Sequence, residues 1–172
     1  MNKKELIKII KDTSLFKGDF LLSSQKRSNY YIDKYLFETQ PNILKYLAQE
    51  FSEKIDLSID RLACIELGGV PLAVATALII NKPYIIVRKE KKEYGTSKQF
   101  EGTLNPYEKV LIIEDISTTG TQSVEAAKKL QKFGVKVESI FTVIDREEGA
   151  REKIEKAGFR FRSLITKSDL NL

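Results

Sequence analysis

"VLIIEDISTTGTQ", residues 110–122, sets four apolar residues directly against two carboxylates and then a run of small hydroxyl and glycine positions. Val110–Ile113 has the near-continuous apolar character of a strand buried on both faces of a parallel sheet. Ligands of open α/β sheets bind beyond the carboxyl ends of strands, so Glu114 and Asp115 stand where a ligand would lie. Ile116 leads on to Ser117, Thr118, Thr119, Gly120, Thr121 and Gln122, which run into a helix spanning 121–133 with Ala126, Ala127, Leu130 and Phe133 on one side. The unpaired N–H groups and the dipole at such a helix start attract an anion. Carboxylates accept hydrogen bonds from vicinal hydroxyls but repel phosphate, whereas small residues let backbone donors wrap an anion closely. A ribose with a 5′-phosphate satisfies both halves at once. A strand end followed by an ordinary helix cap is the plainer reading of each half taken alone.

Working outward, the pattern alternates. "RLACIE" reads as a strand, "VPLAVATALII" as a helix, "YIIVRK" as a strand, and "KVLIIED" as the strand above. Next come "VKVESIFTVID" (strand), "EGAREKIEKAG" (helix) and "FRFRSLI" (strand). Such alternation predicts a mainly parallel central sheet flanked by helices, an α/β fold. Gly134 stands where a helix-ending glycine belongs. Upstream, the first dozen residues space Leu6, Ile7, Ile9 and Ile10 among lysines as a short amphipathic helix. "GDFLLSS" and "SNYYIDKYLF" read as two extended segments around the polar turn "SQKR", a small hood or hairpin. A helix starts with Thr39 or Gln40 ahead of Pro41, burying Ile43, Leu44, Leu47 and Phe51. One stretch does not fit a compact scheme: residues 89–105 join two strands through polar sequence, and loops of that length are usually functional or disordered.

The chain's 172 residues suit one domain, 1–172, with helix and hood elements over 1–40 and the α/β core over 41–172. Apolar content of 42% beside 31% charged residues, with no long apolar run or signal-peptide core, points to a soluble cytoplasmic protein with no membrane role. A net charge of +5 is modest and dispersed; it fits a polyanionic small molecule and gives no nucleic-acid stripe. The lone Cys64, among apolar neighbours, reads as packing. Zero histidines remove Ser-His-Asp and Cys-His pairs and every His-containing metal site. Neither GxxxxGK[ST] nor GxGxxG occurs, so another phosphate cradle is required.

With those residues in view, Val110–Thr121 resembles the PRPP-binding signature of the type I phosphoribosyltransferases: an apolar strand, two acids and a Thr-Gly loop. "FLLSSQKRSNYYIDK", "IELGGVPLA", "VRKEKKEYGTSKQFEG" and "VIDREEGAREKI", in that order, narrow the likeness to the orotate phosphoribosyltransferase family in its short archaeal or bacterial form, over roughly residues 19–165. The resemblance implies the type I fold with its N-terminal hood and a flexible catalytic loop at about 89–102. It implies transfer of the 5-phosphoribosyl group from PRPP to orotate, with Mg2+, in a homodimer whose active sites are shared. Two other readings are a non-catalytic PRPP or nucleotide sensor on the same fold and a phosphoribosyltransferase for another base.

By the same resemblance Glu114 and Asp115 hold the ribose hydroxyls and Ser117–Thr121 cradle the 5′-phosphate, with Ile116 and Gln122 also among the PRPP-binding residues and Thr118 also near orotate. Arg146 would pair with the orotate carboxylate or ring oxygens, a task suited to a planar guanidinium; from the sequence alone it reads equally as a local ion pair beside Asp145. Tyr31 and Ile32 would lie along the pyrimidine, although an ordinary strand pair explains them as well. Gly68 and Gly69 suit a pyrophosphate turn or a plain strand-to-helix turn before Pro71. Arg88, Lys89 and Lys92 match the family's RKxxK, with Tyr94 following them at the diphosphate. Magnesium would be held by PRPP and waters, with no direct protein ligand. Association with orotidine 5′-monophosphate decarboxylase is compatible with the resemblance.

The chain departs from the family at several points. Tyr94 replaces a usual histidine and cannot become cationic near neutral pH. Ser24-Gln25 stands for Ser-Gly, Asn29 for a frequent Pro, and Ser23 for a lysine found in some bacterial members. Cations around a departing diphosphate stabilise the transition state more than the ground state. Lys92→Ala is therefore expected to lower kcat far more than it weakens PRPP binding, measured by steady-state kinetics beside titration; equal losses would make Lys92 a binding contact only.

Overall fold

The computed structural model describes residues 1–21, 27–89 and 99–172. Lys92 and Tyr94, and the departures at Ser23, Ser24 and Gln25, lie outside the described residues. The chain opens with helix α1 (Lys3–Thr13), whose Asn2 side chain accepts from Glu5 N–H while Glu5 answers to Asn2 N–H. Strands β1 (Leu15–Leu21) and β2 (Arg27–Ile32) pair antiparallel as a separate two-stranded sheet, the expected hood. The second extended segment is shorter than the sequence pattern suggested, because residues Tyr35–Glu38 turn into a one-turn helix, α2. Helix α3 (Pro41–Lys54) follows with Gln40 as its N-cap and proline in its first turn.

Six strands make the main sheet: β3 (Arg61–Ile65), β4 (Tyr84–Val87), β5 (Phe100–Glu101), β6 (Lys109–Ser117), β7 (Lys136–Asp145) and β8 (Arg160–Thr166). Their order is β5-β4-β3-β6-β7-β8, all parallel except β5, which runs antiparallel to β4. Helix α4 (Gly69–Ile80) joins β3 to β4, α5 (Thr121–Phe133) joins β6 to β7, and α6 (Ala150–Lys156) joins β7 to β8. The two-residue β5 sits inside the stretch expected to be irregular, too short to carry a period.

Strand alternation divides the core between two faces. Leu62, Leu111, Ile113, Phe141 and Val143 face α1, α3 and α4, with Phe37, Leu47, Phe51 and Leu72 filling the space between. Ala63, Ile65, Val110, Ile112 and Ile140 face α5 and α6, against Val124, Ala127, Leu130 and Ile154. Both faces of the sheet are thus covered, which accounts for the unbroken apolar run at Val110–Ile113. Leu44 is only partly buried, and Phe133 is partly exposed at the end of α5, where its ring meets Phe100 at 5.6 Å edge to face. Cys64 is buried, and burial pushes its thiol up to about 12.

The chain steps outward from β3 to β4 and then returns to the other side of β3 for β6. This reversal opens a crevice at the carboxyl ends of β3 and β6, the switch point where open sheets bind ligands. Among the described residues, no helix is long and apolar enough to cross a membrane. Phe141 is buried edge-to-face on Phe51 with ring centres 4.6 Å apart. Phe141→Ala is expected to cost about 3–5 kcal/mol in chemical denaturation, and a loss under about 1 kcal/mol would contradict this packing.

Candidate active site

Strand β6 runs two residues past the acidic pair, because Ile116 pairs with Ile144 and Ser117 with Asp145. Alternation therefore sends adjacent carboxylates to opposite faces. Glu114 points toward α5, where its Oε2 accepts from Ser123 Oγ, a short contact, and from Ser117 Oγ at 3.3 Å. Burial, then the neighbouring charge of Asp115, pushes its carboxyl up to about 7, against the pull of the two serine hydroxyls. Asp115 faces the other way: its Oδ1 accepts from Ile116 N–H at 2.7 Å, and its Oδ2 accepts from Lys34 Nζ in a close ion pair. The two acids do not form a two-pronged clamp here. Asp115 belongs to the crevice and Glu114 braces the loop behind it.

Beyond Ser117 the loop turns through Gly120, which has φ 69°, a backbone that glycine adopts without strain. A Cβ there would also come within 3.0 Å of Ala150 O and of Ile154 in α6. Among the described residues no side chain caps the start of α5, so its first-turn amides keep their hydrogen-bonding capacity. Thr119 and Thr121 hydroxyls lie 3.1 Å apart, and Lys153 Nζ donates to Thr121 Oγ1 at 2.7 Å. Gln122 is exposed on the first turn and Thr118 half-buried. The arrangement can hold a phosphate, with Lys153 adding positive charge from α6.

Across the crevice, the turn after β3 contains the cis peptide Glu66–Leu67 and then the two glycines. They differ in purpose. A Cβ on Gly69 would lie 2.8 Å from Ile113 O and 3.1 Å from the Cys64 side chain, so this glycine lets α4 pack on the sheet. A Cβ on Gly68 would overlap the Asp115 carboxylate and the Lys34 ammonium, so this one lets that ion pair lie directly against the turn. Gly69 thus makes room for helix packing on the sheet, and Gly68 makes room for the Asp115–Lys34 pair.

Arg146, at the end of β7, is fixed by its N–H on Ser117 O at 2.9 Å. Its guanidinium is nearly buried, with Nη2 2.8 Å from Glu148, Nε donating to Tyr30 Oη at 3.2 Å, and the Tyr30 ring 4.7 Å away. The local ion pair allowed by the sequence is present, but its acid is Glu148, not Asp145. Tyr31 and Ile32 alternate to opposite faces of the hood: Ile32 is buried in the core, and Tyr31 is exposed against Phe20 at 5.7 Å. The tyrosine that meets Arg146 is Tyr30, on the inward face with Ile32.

A phosphoribosyl transferase domain model matches residues 37–166. The orotate phosphoribosyltransferase of Pyrococcus abyssi is 48% identical over 172 residues, covering 98% of this chain and 94% of the relative. The chain belongs to the orotate phosphoribosyltransferase family. That of Natronomonas pharaonis is 44% identical across 99% of this chain and 98% of its own length. The crystal structure of the Aeropyrum pernix enzyme of this name superposes with TM-score 0.86 at 32% identity, over 96% of each chain. The Mycobacterium tuberculosis enzyme in complex with PRPP does so with TM-score 0.76 at 29% identity, over 99% of each.

The family's basic motif begins at the open end of β4. Arg88 lies 3.8 Å from Glu66 and 3.5 Å from Glu101, and Lys89 N–H donates to Glu66 Oε1 at 2.8 Å. Lys129 of α5 holds both carbonyls, Arg88 O at 3.3 Å and Lys89 O at 2.9 Å, which anchors the start of the loop. Four site neighbours were not selected from sequence: Lys34, Glu38, Tyr30 and Lys153. None carries a local sequence signal, since the inward phase that Tyr30 shares with Ile32 is fixed only once the strand's facing is known.

Glu38 of α2 is fully buried, and among the described residues neither carboxyl oxygen has a hydrogen-bond partner. Burial, then the charge of Asp115, raises its carboxyl from 4.5 to about 9, with Lys34 opposing. The folded chain therefore keeps a proton that the unfolded chain releases above its ordinary value. Stability tied to Glu38 is complete below about pH 4.5 and falls as pH rises toward about 9. Relative to Glu38→Gln, the unsubstituted chain should lose melting temperature progressively from pH 5 to pH 9, and a constant gap would mean that Glu38 does not titrate in this way.

Proposed function

We propose that this family member transfers the 5-phosphoribosyl group of PRPP to orotate, giving orotidine 5′-monophosphate and pyrophosphate. Supporting it above all is the meeting at one edge of the sheet of Asp115, the uncapped start of α5 and the glycine turn at Gly68. Relatives of this name that match along the whole chain supply the base and the reaction.

In this reading the 5′-phosphate sits on the amides and hydroxyls of Ser117–Thr121 with Gln122 beside it, and Lys153 adds charge through Thr121. Asp115 accepts from the ribose hydroxyls, while Glu114 braces the loop through Ser117 and Ser123. Thr118 and Arg146 face orotate, and the orotate carboxylate competes with Glu148 for the guanidinium. Tyr30, which orients Arg146, takes the place that the sequence offered to Tyr31 and Ile32. The bond from the anomeric carbon to the diphosphate oxygen breaks with its electron pair leaving on pyrophosphate, and a bond to the orotate ring nitrogen forms as that nitrogen loses its proton. Negative charge grows on the diphosphate at the turn through Gly68 and Gly69, with Arg88 and Lys89 beside Glu66 of that turn; Lys92 would add a cation there and Tyr94 a neutral hydroxyl donor, both from outside the described residues.

Among the described residues no group of three or more His, Cys, Asp or Glu is placed to hold a metal ion. Asp115 beside the glycine turn nonetheless fits Mg2+ brought in with PRPP, with Asp115 holding the ribose hydroxyls and no protein cage required. Magnesium neutralises diphosphate charge when bound. For the homodimer, the supporting feature is the apolar surface of α4 and its preceding turn: Leu78 is 81% exposed, Leu67 66% and Ile79 46%. Shared active sites follow if the partner's loop reaches this crevice.

Loss of orotate absorbance with PRPP and magnesium tests the reading. Turnover with orotate but not with adenine, guanine or uracil is expected, and Asp115→Asn should lower kcat/KM for PRPP at least about tenfold. No turnover, with PRPP still raising the melting temperature, would favour a sensor instead.

A further inference from the structure

Asp115 is the carboxylate that the proposed reaction needs for the ribose, yet its outer oxygen is already engaged. Oδ1 is occupied by the adjacent Ile116 N–H, which cannot move away, so Oδ2 is the acceptor that can exchange partners. Its partner is Lys34 Nζ, carried by the residue that leads from the hood into α2. Lys34 is not part of the basic loop or of the phosphate cradle.

The ammonium lies in the space that Gly68 leaves open, since a Cβ on Gly68 would strike both Lys34 Nζ and Asp115 Oδ2. On its other side it stands 5.2 Å from the centre of the Tyr35 ring. Gly68 is also the N-cap of α4, a helix of 12 residues with no side-chain cap among the described residues. One cation therefore bridges the carboxylate proposed for the diol and the glycine turn proposed for the diphosphate. Its surroundings are acidic: the charges of Asp115 and Asp33 both act on neighbouring Glu38, which keeps its proton. Glu38 contributes a fully buried, unpartnered carboxyl. Burial pulls the Lys34 ammonium down, but Asp115 outweighs it, with the hydrogen bond between them adding to the effect.

We propose that Lys34 is a diphosphate ligand that is released by the ribose: it holds Asp115 until the diol takes Oδ2, and its ammonium then turns over Gly68 onto the diphosphate. This inference rests on the PRPP reading above. A half-buried ammonium deprived of its carboxylate needs another anion, and a flexible four-carbon stem can make the short swing that a strand-borne carboxylate cannot. Diol and diphosphate sites are thereby coupled. Ribose hydroxyls arriving alone must displace the lysine without repayment, and pyrophosphate arriving alone must take it from Asp115. PRPP, which brings both groups, does neither at a loss, so Lys34 favours the intact substrate over its two fragments.

The coupling makes opposite demands on the two fragments, which a merely structural lysine would not. Isothermal titration of ribose 5-phosphate and of magnesium pyrophosphate, each alone, into the full chain, Lys34→Met and Lys34→Gln reads this directly. Both variants should bind pyrophosphate about tenfold or more weakly, the fold-change of one charge-assisted hydrogen bond. Both should bind ribose 5-phosphate more tightly, because Asp115 Oδ2 is then free. Lys34→Arg, which keeps the charge, should restore pyrophosphate binding to within about threefold. Unchanged pyrophosphate affinity in both neutral variants overturns the proposal, as does parallel loss of both ligands in variants whose unliganded melting is unaltered. If the neutral variants do not fold, Lys34→Arg decides: parallel loss of both ligands overturns the proposal and retained pyrophosphate binding upholds it. Binding of neither ligand by the unsubstituted chain would overturn the PRPP reading, and this inference with it.

Discussion

Parallel pairing of β3 with β6, from Arg61 with Val110 to Cys64 with Ile113, brings two loops of distant sequence to one edge of the sheet. One is the turn through Gly68 and Gly69, and the other is the segment from Glu114 to Thr121. Everything proposed for the chain's chemistry needs that adjacency, because the groups in question attach to opposite ends of a single small substrate. Gly69 keeps the two strands' loops in register by letting α4 lie against Ile113 O and Cys64. The core on both faces of the sheet holds the pairing rigid, and the site occupies the exposed rim of that rigid part.

At the rim the electrostatics are crowded with acids. Glu114 and Glu38 are buried with carboxyls raised to about 7 and about 9, and Asp115 stands between them with Lys34 as its counter-ion. Such an arrangement is costly in the folded chain, and a ligand that brings compensating groups would offset that cost. The hydroxyls of Ser117 and Ser123 offset part of the cost at Glu114. At Glu38 the described residues supply no hydrogen-bonding partner, and a retained proton takes that place.

Much of this was legible in the chain. The apolar run at Val110–Ile113, the glycine after α5 and the proline opening α3 have local causes, so the sheet, its helices and the position of the phosphate loop could be read directly. The resemblance at four further segments carried the family. What could not be read depends on side-chain phase and on contacts distant in sequence. Glu114 and Asp115 look like one pair in the sequence, but strand alternation separates them. Tyr30 and Tyr31 exchange importance for the same reason. Lys34 and Asp115 are 81 residues apart, and nothing in the "DKYLF" segment marks its lysine as a partner of the β6 tip. Glu38 ends a one-turn helix whose first three residues read as strand, and so short an element gives its burial no periodic signature.

The proposed reaction requires one sugar phosphate to span Asp115 and the start of α5. A crystal structure of the chain with magnesium and PRPP tests it most directly. The 5′-phosphate is expected on the amides of the 117–121 loop and a ribose hydroxyl on Asp115 Oδ2, with the diphosphate over Gly68. Well-defined PRPP whose ribose hydroxyls lie away from Asp115, or whose 5′-phosphate avoids the start of α5, would contradict it.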